Sequence, residues 1–224
     1  MSKQVAILWD MDGTLVDTGE LHFEAWGRVC QEENRPFTRE DFRATFGKRN
    51  QEIIEYLFHG KMSEEETEQF GNLKEEYYRA ETRKQGVTLL PGVGNLLSGL
   101  KELGALQGIG SSAPKKNLEL ILELTGIQPF LSTLVAMEDT QRGKPDPQVF
   151  QLGAQRLGVQ PGHCVVMEDA VAGVQAARAG GMKCVAVRFI GHHDEEKLLQ
   201  AGANRVVHTL EEVTPMEVFR LAHS

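Results

Sequence analysis

The chain has 224 residues, of which 41% are hydrophobic and 25% charged, a balance that excludes disorder and suits one substantial domain or a domain carrying a smaller insertion. The formal net charge is −8, from 32 acidic and 24 basic residues. It argues against a nucleic-acid partner, because phosphate backbones are held by clustered Lys and Arg.

Val5 to Trp9 is a continuous apolar run closed by Asp10, the pattern of a strand buried on both faces of a parallel sheet. It is too short for a signal peptide. From about Thr18 to Leu89 the apolar residues recur at helical spacing, as in Phe23, Trp26, Val29 and Cys30, and no strand pattern is visible. Breaks at Arg35-Pro36, Phe46-Gly47 and His59-Gly60 divide this stretch into several helices. Glu64, Glu65, Glu66 and Glu68 read as a solvated face near a favourable helix N-terminus. Leu90-Pro91-Gly92 marks the return to alternation. Strand-like runs follow at Leu106 to Ile109, Cys164 to Met167, Cys184 to Val187 and Arg205 to Val207, with helical stripes between them.

The predicted class is α/β: a Rossmann-like, doubly wound parallel sheet formed by residues 1–16 and 90–224, with an all-helical insertion at 17–89. Cys30, Cys164 and Cys184 have no CxxC or CxxH spacing, which fits reduced thiols in a cytoplasmic protein. No run approaches the length of a membrane span. A monomer or small homo-oligomer is expected.

Asp10-Met11-Asp12-Gly13-Thr14-Leu15-Val16-Asp17 closes the first strand, and ligands in open α/β sheets bind beyond the carboxyl ends of strands. Two carboxylates so close call for a compensating cation, and Mg²⁺ suits a few carboxylates plus a substrate phosphate. This run, with Gly110-Ser111-Ser112, Gly143-Lys144-Pro145-Asp146-Pro147 and Met167-Glu168-Asp169-Ala170-Val171-Ala172-Gly173, resembles the haloacid dehalogenase superfamily in motif order and spacing. The resemblance covers essentially the whole chain and makes residues 17–89 a helical cap.

What the resemblance implies is phosphoryl transfer. Asp10 would be the nucleophile that forms an aspartyl-phosphate, and Asp12 the general acid and base. Ser111 and Ser112 would bind the phosphoryl oxygens, and Lys144 would stabilise their developing charge. Asp10, Asp12 (through its backbone carbonyl) and Asp169 would hold Mg²⁺. Glu168 would hold the metal through water, orient Lys144, or face solvent. Gly173 would let its loop pass close to the sheet.

Within the superfamily the chain is most similar to the subgroup holding β-phosphoglucomutase and small-metabolite phosphatases. Thr18, His22 and Trp26 match residues that join the cap hinge to substrate there, and Lys74 matches a lysine that pairs with the hinge histidine. His22 also reads as a hinge histidine bonded to a backbone carbonyl, Trp26 as core, and Lys74 as a solvated lysine. Two departures favour hydrolysis over the mutase reaction. Thr14 is the usual phosphatase residue, and the mutase's phosphate-anchoring arginine falls at Asn50, with Arg49 one residue early. The expected partner is a small phosphorylated metabolite such as a sugar phosphate. A catalytically silent binding protein on this fold is the alternative of a different class.

Overall fold

The computed structural model describes residues 4–191 and 193–223. Short β-branched and apolar runs form six strands: β1 (Ala6–Trp9), β2 (Leu106–Gly110), β3 (Thr133–Val135), β4 (Cys164–Glu168), β5 (Lys183–Val187) and β6 (Arg205–Val207). They pair in the order β3-β2-β1-β4-β5-β6, and every pairing is parallel. The order reverses between β1 and β4, the crevice where such sheets place their ligands.

Between β1 and β2 run four helices, α1 (Gly19–Glu32), α2 (Arg39–Thr45), α3 (Asn50–Phe58) and α4 (Glu64–Gln85), followed by α5 (Val93–Glu102). The remaining helices are α6 (Lys115–Thr125), α7 (Gln148–Leu157), α8 (Val171–Ala179), α9 (Glu195–Ala201) and α10 (Pro215–Leu221). The three predicted breaks in the helical stretch fall between α1 and α2, α2 and α3, and α3 and α4. The acidic run opens α4, where Ser63 and Glu66 form a capping box.

Alternation along β1 divides the core between the sheet faces. Ile7 and Trp9 pack with Leu96, Leu97, Leu118 and Ile121 from α5 and α6. Ala6 and Leu8 pack on the other face with Phe150, Ala154, Val174 and Leu198 from α7, α8 and α9. Trp26, Val29, Ile53, Ile54, Leu57 and Phe70 form a separate cluster among α1, α3 and α4.

All five strands expected from apolar runs are present. The edge strand β3 was not expected, because it has three residues and only Val135 is buried. Helix α10 also went unread, although the Thr214–Glu217 capping box marks its start. Among the described residues no helix is long and apolar enough to cross a membrane.

Candidate active site

Three neighbouring strands deliver the motif residues to one end of the sheet. Asp10 follows β1, Ser111 follows β2, and Glu168 ends β4 with Asp169 next. The Asp10 amide donates to the Met167 carbonyl at 2.9 Å, so the two acidic strand ends stay in register. Gly13 lies in the loop beyond β1 with φ +86°, and a Cβ there would sit 2.2 Å from Asp169 Oδ2. Only glycine lets the turn pass under that carboxylate.

Lys144 reaches this cluster from the loop before α7. Its Nζ donates to Asp10 Oδ1 and, at 2.7 Å, to Glu168 Oε1. Glu168 Oε2 accepts the amides of Asp169 and Ala170 at 2.7 and 2.6 Å. Glu168 is therefore fully engaged and buried rather than facing solvent, and one of its oxygens orients Lys144. Gly173 allows the close approach that its sequence context suggests, but from a helix rather than a loop. It sits in α8, where a Cβ would meet Glu168 Oε1 at 1.6 Å, so its bare backbone makes room for that carboxylate.

Burial raises Asp10 from 3.8 to about 7, against the attraction of Lys144 and with the help of the Glu168 and Asp12 charges. Burial and the charges of Glu168 and Asp10 lift Asp169 as well. Burial alone would lower Lys144, but Asp10 and Glu168 outweigh it and hold the ammonium protonated. Oxygen atoms of Asp10, Glu168 and Asp169 all lie within 4.8 Å of one another. Three buried carboxylates against one lysine leave negative charge that a hard, oxygen-seeking divalent cation would neutralise, so the donor set fits Mg²⁺.

Asp12 belongs to a different set. Its Oδ1 accepts from Thr18 Oγ1 at 2.5 Å and lies 3.3 Å from His22 Nε2. His22 Nδ1 is 2.9 Å from Lys74 Nζ, and the His22 ring stacks on Tyr78 at 4.0 Å. Burial would raise Asp12, yet His22 and Thr18 outweigh it and hold the carboxyl below its ordinary value. The Asp12 side chain thus points toward the helices and away from the acidic cluster. His22 bonds side chains rather than a backbone carbonyl. Lys74 is 2% exposed, not solvated.

One cavity between the sheet end and the helices is lined by Asp10, Asp12, His22, Trp26, Asn50, Lys74, Ser111, Ser112, Lys144, Glu168 and Asp169, with Lys48 among its exposed residues. Trp26 fills both readings, lining the cavity while buried in the helical cluster. Ser111 Oγ accepts the Ala113 amide at 3.1 Å. Pro114 occupies the N-cap of α6.

Arg49 does not line this cavity. Its guanidinium turns to the loop before Lys144, donating to the Thr140 carbonyl, the Thr140 hydroxyl and the Arg142 carbonyl. Asn50 Nδ2 donates to Glu75 Oε1 at 2.8 Å. Sequence reasoning missed Glu75, which also accepts from Lys74 at 2.8 Å and from Asn117 at 2.6 Å. A Glu beside a Lys on a charged helix carries no sign of burial, and Asn117 lies 42 residues away.

Residues 7–187 match the family model for haloacid dehalogenase-like hydrolases. The chain is 33% identical over 207 residues to hexitol phosphatase A of Escherichia coli, covering 92% of each chain. It is 32% identical over 188 residues to a β-phosphoglucomutase of Bacillus subtilis, covering 81% of this chain and 82% of that one. Its fold superposes on a haloacid dehalogenase hydrolase of family IA, variant 3, from Entamoeba histolytica with a TM-score of 0.88 and 26% identity, covering 99% and 100% of the two chains. The chain belongs to the haloacid dehalogenase-like hydrolase family.

Proposed function

We propose that this protein is a phosphatase that hydrolyses small phosphate monoesters, sugar phosphates among them, through an aspartyl-phosphate on Asp10. Residues 17–89 would act as a cap over a catalytic core of residues 1–16 and 90–224, excluding bulk water from the cavity when closed. The observation that carries the reading is the buried Asp10–Lys144–Glu168–Asp169 cluster at the sheet's switch point, which lines one cavity together with Asp12.

Asp10 attacks phosphorus while Asp12, ionised in the free protein and protonated as the ester enters the closed cavity, gives that proton to the leaving oxygen, dividing one displacement into two. Asp12 then takes a proton from the water that hydrolyses the acyl phosphate. Ser111, Ser112 and Lys144 hold the phosphoryl oxygens as their charge redistributes. Asp10, Asp169 and the Asp12 backbone carbonyl would hold Mg²⁺, with Glu168 behind them; the ion supplies positive charge to the nucleophile and phosphoryl oxygens. Three free, buried cysteines suit a reducing, cytoplasmic setting.

A mutase reading draws on the Thr18–Asp12–His22–Lys74 chain. Hydrolysis is preferred because a mutase must retain a bisphosphate intermediate. At the position of its anchor, the Asn50 amide is bound to Glu75 and Arg49 is bound to the core.

The test is phosphate release from a panel of phosphorylated sugars that includes β-glucose 1-phosphate, with and without Mg²⁺. Magnesium-dependent release that disappears in a folded Asp10→Asn variant is the expected result. Conversion of β-glucose 1-phosphate to the 6-phosphate with almost no free phosphate would establish the mutase instead. Retained turnover in Asp10→Asn would end the proposed mechanism.

A further inference from the structure

Arg49 precedes α3 on the helical side of the cavity, yet its guanidinium makes its bonds on the sheet side. Nη1 donates to the Thr140 carbonyl at 3.1 Å. Nη2 donates to the Thr140 hydroxyl and, at 2.8 Å, to the Arg142 carbonyl. These acceptors lie two and four residues before Lys144. The same loop is held from its other side by Gln148, whose Oε1 accepts the amides of Gln141 and Arg142 at 2.8 and 3.1 Å. The loop's amides are thus tied to α7 and its carbonyls to Arg49.

Gly143, immediately before Lys144, makes the approach possible. A Cβ there would sit 3.0 Å from Arg49 Nε and 2.9 Å from Glu52 Oε1. Lys144 then extends inward to Asp10 and Glu168, with its Nζ 4.8 Å from the centre of the Phe150 ring.

We propose that Arg49 is a positioning residue: it braces the 140–143 loop from the helical segment and so couples closure of that segment to the placement of Lys144 beside Asp10. The kinetic part rests on the phosphatase reading; the bracing itself does not. Arg49 is then no substrate anchor. It makes the site complete only when the helices lie over the sheet. A guanidinium suits the role because its planar fork serves several acceptors at fixed angles, which a lysine ammonium does not reproduce.

The test compares wild type, Arg49→Ala, Arg49→Lys, Thr140→Val and the Arg49→Ala/Thr140→Val double variant. Each is assayed on p-nitrophenyl phosphate, glucose 6-phosphate and fructose 1,6-bisphosphate, with hydrogen exchange of residues 140–144 measured in parallel. Thr140→Val removes one acceptor only and keeps a folded variant in the series should Arg49→Ala melt. The expected result is a kcat lower by about 10- to 100-fold in Arg49→Ala on every substrate turned over, with KM little changed. Arg49→Lys should recover only part of it. The double variant should be little worse than Arg49→Ala, since both changes remove one interaction. Exchange in 140–144 should quicken while β1 and β4 stay protected.

A loss confined to the bisphosphate and expressed in KM would make Arg49 a phosphate anchor and overturn the proposal. Unchanged exchange in 140–144 would overturn it whatever the kinetics. Quickened exchange in Arg49→Ala, beside a wild-type protein that hydrolyses none of the three esters, would support the brace and count against the phosphatase reading alone.

Discussion

Glu75 shows how much a single buried carboxylate can carry. It is 4% exposed and accepts from Lys74, Asn50 and Asn117, the last from α6 on the sheet side. Burial would raise it, but the charges of Lys74 and His22 and these hydrogen bonds lower it from 4.5 to about 2. A carboxyl lowered on folding contributes stability that is fully present above its unfolded value. That contribution is lost as pH falls from about 4.5 toward 2. Glu75→Gln should therefore cost on the order of 3 kcal/mol at pH 7, because Lys74 stays buried without its counter-charge. The gap to wild type should narrow toward pH 3. Urea denaturation across pH 3–7 reads this directly; a gap that does not change with pH would show that Glu75 acts by shape rather than charge.

Among the elements, the start of α8 is tightly constrained. Its first turn packs so closely on the end of β4 that a methyl group at Gly173 would overlap Glu168 Oε1, the oxygen that holds Lys144. Gly173→Ala should lower kcat by about 100-fold through misplacement of Lys144, and stability by about 1–3 kcal/mol through overpacking. Gly94 in α5 is the contrast, since nothing lies within 4 Å of the Cβ it lacks. Gly94→Ala should raise stability by about 0.5–1 kcal/mol and leave turnover alone, because it only improves helix propensity. Thermal melts and steady-state assays of both variants check the pair; a neutral Gly173→Ala would mean that Glu168 can move without consequence.

At the scale of the whole molecule, folding brings Asp10, Glu168 and Asp169 together from sequence positions up to 159 residues apart, with Lys144 as the cation bonded to two of them. The unfolded chain has no such site, so a cation that binds it favours the folded state by mass action. Mg²⁺ at about 100 times its dissociation constant should add about 2.7 kcal/mol and raise Tm. Asp169→Ala should abolish that rise. A melt shift of equal size in both proteins would place the ion elsewhere.

Much of this molecule is legible in the chain. The apolar runs give five of the six strands, and the break residues separate the four helices between β1 and α5. Three of the four motifs are local strings attached to the ends of β1, β2 and β4, so position in sequence translates into position at the sheet end; the fourth brings Lys144 from the loop before α7. Pairwise geometry across long separations is a different matter. Arg49 and Asn50 read as offset anchors for a phosphate, yet Thr140, Arg142 and Glu75 claim their donors. Lys74 reads equally as solvated, yet Glu75 and His22 bury it. A local pattern of polarity and spacing determines strands, turns and the motifs they carry. Which donor meets which acceptor depends on how the helices lie across the sheet, and no local pattern encodes that placement.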